Sequence, residues 1–485
     1  MLIDLNLVPD VQKLKSYDVC ICGSGPAGIT LARTLAAKGK TVALLEGGSL
    51  AYTEESQALY EGKSTGINDW DAVKNCRLRF FGGTSNHWSG LCSYLDDTDF
   101  EARADGFSGW PISRAEAYKH FDAAKEVLDL PKDAFLNAPK WQGSKFKSFI
   151  SAMSPPTRFN VKYQDELKKS TQIDLFINAN LTNVQLHDNL QVVKNLEVTN
   201  SKKTKFLFSA KQFVLALGTI ENARMLLASN KQMKQGVGNQ NDMVGRCYME
   251  HFNIGYGRFT AEDNPAWKNG KITLNPSAAL IKKTKIGNAV ISFDPSFKVV
   301  SYGRTRALKQ SLRNLICKSE NATELSRKLV DFNCDGDGFI TSMIEQSPNL
   351  DSRVTLDKVR DSFGVPKVIL HWQFNQHDLH TIRTIGLEAA KEMARMGVAR
   401  VQLADYILDE SLPLKDIGHH CHQMGTTRMS ANPKHGVVNE SLQVHGISNL
   451  FIAGSSVFPT GGGCNPTFTL TMLSLRLGEH LSAIS

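Results

Sequence analysis

Three glycines near the N-terminus, Gly23, Gly25 and Gly28, follow the spacing G-x-G-x-x-G. Glycine at these places permits a tight turn, lets the backbone approach a pyrophosphate and packs a helix closely against a strand. Glu46 ends the next apolar run, where its carboxylate can accept hydrogen bonds from an adenosine ribose. The four residues together predict a dinucleotide-binding site, and this fingerprint by itself does not separate NAD from FAD.

The elements that must position these residues can be predicted at both ends of the chain. Residues 17–46 predict a strand, a Gly-rich turn, a helix and a second strand, which together make one βαβ unit. Near the C-terminus the run NLFIAGSSVFPT predicts a buried strand and a turn. Asn465 then caps a helix whose first residue is Pro466. We expect the first and last segments to share one sheet.

The middle of the chain predicts sheets of another kind. Residues 173–217 contain short alternating runs, expected to form a small antiparallel sheet that feeds a last strand into the larger one. Between residues 259 and 416, strand-like runs precede a helix near 376–396, and no Gly-rich turn accompanies them. This region predicts a separate, substrate-facing sheet.

Composition and charge exclude several classes of protein. The chain has 485 residues, of which 41% are hydrophobic and 21% charged, and this is typical of a globular protein rather than a disordered, collagen-like or coiled-coil one. The net charge of +8 comes from scattered basic residues, which favours a solvated surface over nucleic-acid binding. The sequence contains no apolar run of about 18 residues and no leader-like N-terminus, so we expect neither a membrane span nor secretion.

Cysteine usage bears on the redox compartment. The nine cysteines include no C-x-x-C pair, and Cys20 and Cys22 fall inside a predicted buried strand. Reduced core thiols therefore explain the pattern better than a disulfide framework. This interpretation favours a cytoplasmic location.

Two segments imitate metal sites. His419, His420 and His422 surround Cys421, but no second ligand cluster at structural-zinc spacing accompanies them. Residues 331–342 begin like a calcium loop, yet the twelfth position is Ser342 instead of glutamate, so the bidentate ligand is missing. We expect no metal at either place and a turn at the second.

Six further motifs distinguish between the two dinucleotides. They are LRFFGGTSNHWSGLC (78–92), GWPISRAEAY (109–118), VGRCYMEHF (244–252), EQSPNLDSRVTL (345–356), HQMGTTRM (422–429) and GSSVFPTGGGCNPTFTLTMLSLRLGEHL (454–481). In their order along the chain they resemble those of the glucose-methanol-choline (GMC) oxidoreductase family, and the branch of bacterial sugar dehydrogenases and pyranose oxidases is the most similar in motif. The resemblance spans nearly the whole chain and implies FAD as the cofactor and an alcohol as the substrate.

The resemblance also implies the catalytic residues. Oxidation of an alcohol needs a base beside the hydroxyl group, and His422 matches the family's base position. Asn465 matches its partner, which would hold the hydroxyl by a hydrogen bond. Each has a plainer alternative, a satisfied core histidine for His422 and helix capping for Asn465. Capping is compatible with catalysis, because a helix N-terminus also stabilises negative charge on a reduced flavin. His251 and Arg246 match a family motif too, and we expect them to be structural.

The remaining predicted contacts concern the cofactor. Gly82, Gly83 and Ser85 are expected to hold the flavin and pyrophosphate through backbone N–H groups. His87 lies where some members of the family link the flavin covalently to histidine, so both covalent attachment and simple packing stay open. Small residues at Gly454 and Ser455 permit close approach to the ribityl and pyrophosphate groups. Two further contacts are predicted at the start of the last helix, from Pro466 and Thr467.

Taken together, the sequence predicts an α/β enzyme with a Rossmann-like FAD-binding domain of the GMC and PHBH type and a second, sheet-based substrate domain. The first comprises residues 1–105, 171–258 and 417–485, and the second residues 106–170 and 259–416. The predicted reaction oxidises an alcohol group of a sugar or glycoside to the carbonyl. A non-redox lyase on the same fold and an oxidase of another alcohol are the alternatives. The electron acceptor stays open, since no haem or Fe–S cysteine pattern is present.

Overall fold

The computed structural model describes residues 1–9, 15–67, 72–102, 107, 109–136, 140–295, 315–317, 337–415 and 417–485. A six-stranded parallel sheet is built from the N-terminal, middle and C-terminal parts of the chain. Its strands are almost continuously apolar, as expected of parallel strands that are covered on both faces. In spatial order they are Leu2–Asp4, Ile173–Ile177, Val42–Leu45, Tyr17–Cys22, Ala210–Leu215 and Leu450–Ile452.

The predicted βαβ unit lies at the centre of this sheet. Strand Tyr17–Cys22 leads through the glycines into helix Pro26–Ala37, and the chain returns as strand Val42–Leu45. Gly23 has φ +105°, and a Cβ there would lie 2.3 Å from the Ala216 carbonyl oxygen. A Cβ on Gly28 would lie 1.9 Å from the carbonyl oxygen of Gly23. Both positions therefore require glycine, as the fingerprint predicts.

The C-terminal prediction is confirmed as well. Strand Leu450–Ile452 pairs with Ala210–Leu215 in the same sheet, and helix Pro466–Ile484 packs on helix Pro26–Ala37. The strand Ile173–Ile177 departs from expectation. We assigned this run to a small antiparallel sheet, but it joins the parallel sheet between Leu2–Asp4 and Val42–Leu45. This strand belongs to the parallel sheet because it is buried on both faces. The residue pattern of a single short run does not reveal such burial.

The second region forms an antiparallel sheet of eight strands. Helix Gln376–Arg395 packs against it and begins with a capping box between Asn375 and Asp378, close to the predicted bounds. Six strands follow one another across this sheet, and two short ones join at the side. They are Ala399–Leu403, Gly257–Ala261, Gly338–Ile344, Ala289–Pro295, Ile272–Pro276 and Phe146–Ser148. Phe252–Asn253 pairs with Gly338–Ile344, and Gly418–His419 pairs with Phe252–Asn253.

Smaller sheets and short helices complete the described fold. One sheet contains Lys205–Phe208, Val193–Thr199 and Asn180–Leu186; a second contains Arg353–Arg360, Pro366–Trp372 and Gly62–Gly66; a third pairs Leu91–Ser93 with Ser151–Met153. The other helices, several of them single 3₁₀ turns, are Glu54–Gln57, Ala58–Tyr60, Ala72–Asn75, Gly83–Asn86, Asp97–Phe100, Arg114–Ala117, Phe121–Val127, Phe159–Lys162, Gln164–Lys169, Thr219–Ala228, Pro265–Asn269, Ala278–Thr284, Asp405–Leu408 and Ser455–Val457.

Two of these small sheets cross the predicted division into domains. Strand Gly62–Gly66 pairs with Pro366–Trp372, and strand Leu91–Ser93 pairs with Ser151–Met153. The strands of the parallel sheet, in contrast, all come from the segments assigned to the FAD-binding domain. The division itself stays a prediction.

One expectation about the cysteines is wrong. Cys76 and Cys421 form a disulfide that joins positions 345 residues apart, whereas we expected reduced thiols. The two segments meet only in the fold, so spacing in the sequence gives no sign of the pair. Cys20 and Cys22 are free, buried thiols, as predicted, and Cys92 and Cys464 are free and buried as well. Among the described helices, none has the length and apolar character needed to cross a membrane.

Candidate active site

A cavity of about 600 Å³ opens at the carboxyl ends of the parallel strands. This edge of an open α/β sheet is where such folds bind their ligands. The cavity wall brings together segments from the whole length of the chain. Of the predicted site residues it contains Gly23, Gly25, Glu46, Gly83, Ser85, His87, His422, Gly454, Ser455, Asn465, Pro466 and Thr467.

Three glycines leave open space beside the backbone at the cavity wall. A Cβ built on Gly25, Gly218 or Gly454 meets no atom within 4 Å. Gly25 is the N-cap residue of helix Pro26–Ala37, and Gly218 is that of helix Thr219–Ala228. Helix N-termini with bare backbone bind phosphate groups, because their N–H groups and dipoles favour negative charge. The glycine turn thus fits the pyrophosphate of FAD, and Gly218 is a cavity residue that was not among the predicted ones.

Glu46 lies beside the glycine turn at the cavity wall. Its carboxylate is buried and accepts hydrogen bonds from the Ser24 hydroxyl at 2.5 Å and from the Gly48 N–H at 2.8 Å. Arg79 lies against the following residue, since a Cβ on Gly47 would be 2.3 Å from its Nη2 atom. A carboxylate held beside the glycine turn fits a ribose, as the sequence predicts.

The loop that begins at Gly82 packs on the glycine turn. Gly82 has φ +91°, and its N–H donates to the Ser24 carbonyl at 3.0 Å. A Cβ on Gly83 would lie 3.0 Å from the Cα of Gly25. The Ser85 hydroxyl donates to the Gly82 carbonyl at 2.7 Å. Gly83 and Ser85 therefore face the cavity. Gly82 and Gly28 do not line it but support the residues that do.

His87 also faces the cavity. Partial burial lowers the pKa of its imidazole, and the charge of Arg158 lowers it further. The side chain is thus held as the neutral imidazole, the form with a free nitrogen lone pair. That form suits both readings of this residue, packing and covalent attachment.

The predicted catalytic pair is assembled at the same wall. Asn465 Nδ2 lies 3.2 Å from His422 Nε2. Asn465 occupies the N-cap position of helix Pro466–Ile484, but its side chain makes no capping hydrogen bond, so the capping expectation holds for position only. Ser93 turns the amide towards the histidine, because its hydroxyl donates to Asn465 Oδ1 at 3.2 Å and accepts from the Asn465 N–H at 2.7 Å. Ser93 was not among the predicted site residues.

A second histidine fixes the proton on the first. His251 Nε2 lies 2.8 Å from the Gly462 carbonyl, which can only accept, so this nitrogen carries the hydrogen. Burial lowers the pKa of His251 to about 4, and its Nδ1 is then an acceptor. His422 Nδ1, 3.0 Å away, must donate to it. The lone pair of His422 is thereby placed on Nε2, beside Asn465. We expected a structural role for His251, but it contacts the predicted base directly.

Glu250 connects the backbones of the two histidines. Its Oε1 accepts from the His251 N–H at 3.0 Å and from the His422 N–H at 2.5 Å. Met249 and Met424 form an antiparallel bridge, which places His251 opposite His422. Burial raises the pKa of Glu250 to about 8, although these hydrogen bonds oppose the rise. The backbones of His251 and His422 are therefore linked by a carboxyl group that stays protonated to a higher pH than an ordinary carboxylate.

The electrostatic surroundings keep His422 neutral. Burial holds the pKa of its imidazole well below the usual range. Electrostatic repulsion from His251, His420 and His419 lowers that pKa further. At neutral pH the base is therefore unprotonated, as general-base catalysis requires.

Ligand-type atoms of Cys76, His419 and Cys421 also meet here, within 4.8 Å of one another. The two sulfurs are bonded to each other, so this group presents no free thiolate to a metal ion. In the calcium-like segment, residues 331–336 lie outside the described residues. Ser342 lies in strand Gly338–Ile344. The prediction of no metal at these places remains a prediction.

Comparison with known proteins agrees with the motifs. Residues 348–474 match the model of the family described as GMC oxidoreductase, which confirms the resemblance. The fructose dehydrogenase large subunit of Gluconobacter japonicus is 25% identical over 275 residues, 56% of this chain and 47% of that protein. A C-glycoside 3-oxidase of Arthrobacter globiformis is 34% identical over 128 residues, 26% of this chain and 23% of that protein. These matches span about half or less of the relatives' length.

The fold is similar to solved structures over almost the whole chain. A formate oxidase of Aspergillus oryzae RIB40, in a structure concerned with FAD modification, has a TM-score of 0.59 at 15% identity. The superposition covers 98% of this chain and 99% of the oxidase. The predicted fold class, a parallel α/β sheet with a separate antiparallel sheet, is thereby confirmed.

Proposed function

We propose that this chain, whose residues 348–474 carry the GMC oxidoreductase signature, is an FAD-dependent enzyme that oxidises an alcohol group of a sugar or glycoside to the carbonyl. The observation that carries the proposal is the arrangement of His422 at the cofactor cavity. Its Nε2 lone pair lies 3.2 Å from the Asn465 amide, and its other nitrogen is occupied by His251. A hydroxyl group bound at this place can accept a hydrogen bond from the amide and give its proton to the neutral base.

The residues that would hold FAD are those of the cavity wall. The glycine turn and the N-terminus of helix Pro26–Ala37 would bind the pyrophosphate, and Glu46 would bind the ribose. Gly83, Ser85, Gly454 and Ser455 would line the flavin and ribityl groups. When bound, FAD supplies the acceptor for the hydride that leaves the alcohol carbon.

The protein's own part in the reaction concerns one proton. Asn465 Nδ2 donates to the substrate oxygen and orients the hydroxyl, while His422 Nε2 takes its proton. His251 keeps the Nδ1 hydrogen of His422 in place, so the imidazolium that forms has a hydrogen-bond acceptor behind it. The N-terminus of helix Pro466–Ile484 points its partial positive charge into the same region.

The activities named for the two relatives support a redox reaction. They are a dehydrogenase and an oxidase acting on sugar or glycoside, and neither name suggests a lyase. We therefore prefer alcohol oxidation to the lyase alternative. The electron acceptor, and with it the choice between oxidase and dehydrogenase, is not part of this proposal. A cytoplasmic location stays a prediction, against which the Cys76–Cys421 disulfide argues.

The test compares His422→Ala with the surface variant His187→Ala under anaerobic conditions. A panel of sugars, glycosides, polyols and simple alcohols first identifies the substrate by loss of the oxidised flavin absorbance. The His422 variant should retain FAD but reduce it about 10²–10⁴-fold more slowly, the usual contribution of a general base. If this variant reduces its flavin at the wild-type rate, another residue must be the base. A flavin that no alcohol bleaches would favour the lyase or a non-enzymatic role.

We also propose that His87 can carry the flavin covalently. Its neutral imidazole faces the cavity and supplies the nucleophilic nitrogen that such a bond needs. Acid precipitation of the purified protein tests this directly. Yellow colour in the pellet of the wild type and its absence from a His87→Ala pellet are expected, whereas complete release of FAD from the wild type rules the bond out.

A further inference from the structure

The disulfide lies in the wall of the proposed cofactor cavity. Cys76 and Cys421 both line it, together with the glycine turn, His87 and His422. Cys421 directly precedes the base, and Cys76 stands a few residues before the loop that begins at Gly82. A disulfide that only joined two surface segments would not have to lie in the cavity wall.

The two sulfurs differ in exposure. Cys76 is buried, with 2% of its surface accessible, whereas Cys421 is exposed. Thiol–disulfide exchange requires an accessible sulfur at which a partner can attack and a second sulfur that can leave and return. The pair has this asymmetry. The thiols of Cys20, Cys22, Cys92 and Cys464, in contrast, are all buried.

An imidazole accompanies both sulfurs. His419 Nδ1 lies 3.6 Å from Cys421 Sγ and 3.8 Å from Cys76 Sγ. A neighbouring histidine can give a proton to a departing thiolate or take one from a thiol, and it thereby lowers the barrier to opening and closing the bond. The same contact explains why this imidazole need not serve as a metal ligand.

We propose that the Cys76–Cys421 disulfide is a second redox centre, which takes two electrons from reduced FAD and delivers them to an external organic disulfide. The inference rests on the proposed function for its electron source. In the first step the S–S bond breaks, two S–H bonds form, and the two electrons and two protons come from the reduced flavin. In the second step the Cys421 thiolate attacks the external disulfide and releases one thiol. Cys76 then displaces the other thiol and restores the protein disulfide.

The decisive experiment introduces electrons through the flavin without any alcohol. The FAD-loaded enzyme is illuminated anaerobically with EDTA, so that light reduces the flavin, and an identical sample is kept dark. Both are quenched with an alkylating reagent, and peptide mapping identifies the labelled cysteines. Cys76 and Cys421 should be labelled in the illuminated sample and protected in the dark one. Cys20→Ala, which removes a buried core thiol away from the cavity, should behave like the wild type.

A second measurement follows the flavin. After photoreduction, oxidised glutathione is added as the external disulfide, and reappearance of the oxidised flavin absorbance is recorded. The double variant Cys76→Ser, Cys421→Ser should recover about tenfold or more slowly than the wild type, because the exchange step is lost. Should that variant fail to fold, the labelling of the wild type still decides the matter.

Two results overturn the proposal. One is a fully reduced flavin with Cys76 and Cys421 still linked, which would make the disulfide purely structural. The other is alkylation of both cysteines in the dark, which would mean that the bond is not formed in the resting enzyme. Because neither measurement uses an alcohol, failure of the proposed alcohol oxidation is recognised separately, as a flavin that light reduces and no alcohol does.

Discussion

Replacing His251 tests whether the proton on His422 is fixed by its neighbour. In His251→Leu the Nδ1–H of His422 loses its acceptor, which lies 3.0 Å away in the wild type, and becomes a buried donor without a partner. Such a group costs about 1–3 kcal/mol. The base can escape this cost by moving its hydrogen to Nε2, where it can no longer accept a proton from the substrate. At about 1.4 kcal/mol per tenfold, flavin reduction should slow roughly 5- to 160-fold.

The assay is anaerobic flavin reduction with the best substrate, at equal FAD content. His251→Asn is the matched variant, because the asparagine side-chain oxygen can take the place of Nδ1 while the link to the Gly462 carbonyl is lost. It should recover much of the rate that His251→Leu loses. A histidine-labelled NMR spectrum, with His422 assigned from its absence in His422→Ala, should show Nε2 unprotonated in the wild type. Wild-type reduction by His251→Leu, or equal rates in both variants, would contradict the reasoning.

Three shorter predictions use the same structure. Gly25→Val should purify without FAD, because its side chain enters open space in the cavity where the pyrophosphate belongs, and a yellow variant would contradict this. Asn465→Ser should melt higher, since serine caps helix Pro466–Ile484 for about 1 kcal/mol, yet reduce its flavin more slowly. Burial raises the pKa of Glu250 from 4.5 to about 8, so the folded protein holds a proton that the unfolded chain releases. Glu250 should therefore contribute stability that is lost as pH rises from about 5 to 8. The difference in unfolding free energy between the wild type and Glu250→Gln should change over that range, whereas the difference between the wild type and the exposed control Glu410→Gln should not.

The parts of the site that could be predicted are those encoded by neighbouring residues. Gly23 and Gly28 follow from one turn, because each is forced by contacts inside a single βαβ unit. Asn465 at the start of the last helix follows from the residue pair it makes with Pro466. The assignment of His422 came from the ordered motifs of the family. For the two glycines and Asn465 the signal is local in sequence, and the fold preserves it.

The parts that could not be predicted depend on register between distant segments. His251 meets His422 because Met249 pairs with Met424 across an antiparallel bridge, and a shift of one residue would turn the two rings to opposite faces. Ser93 reaches Asn465 from a short strand 372 residues away. Cys76 and Cys421 meet in the same manner. Periodicity describes which face of a strand is buried, but it does not say which strand lies beside it.

Asn465 shows why this arrangement indicates function more strongly than stability. An asparagine at an N-cap normally bonds to the helix backbone and contributes about 1 kcal/mol, but here the side chain is turned away by Ser93 and faces His422 instead. Pro466 has no N–H to offer, so the first turn of the helix presents uncapped backbone donors of the following residues towards the cavity. A chain selected for stability alone would use the cap. Without that cap, the amide is available to a substrate oxygen and the helix N-terminus to negative charge, which are the two features that the proposed alcohol oxidation requires.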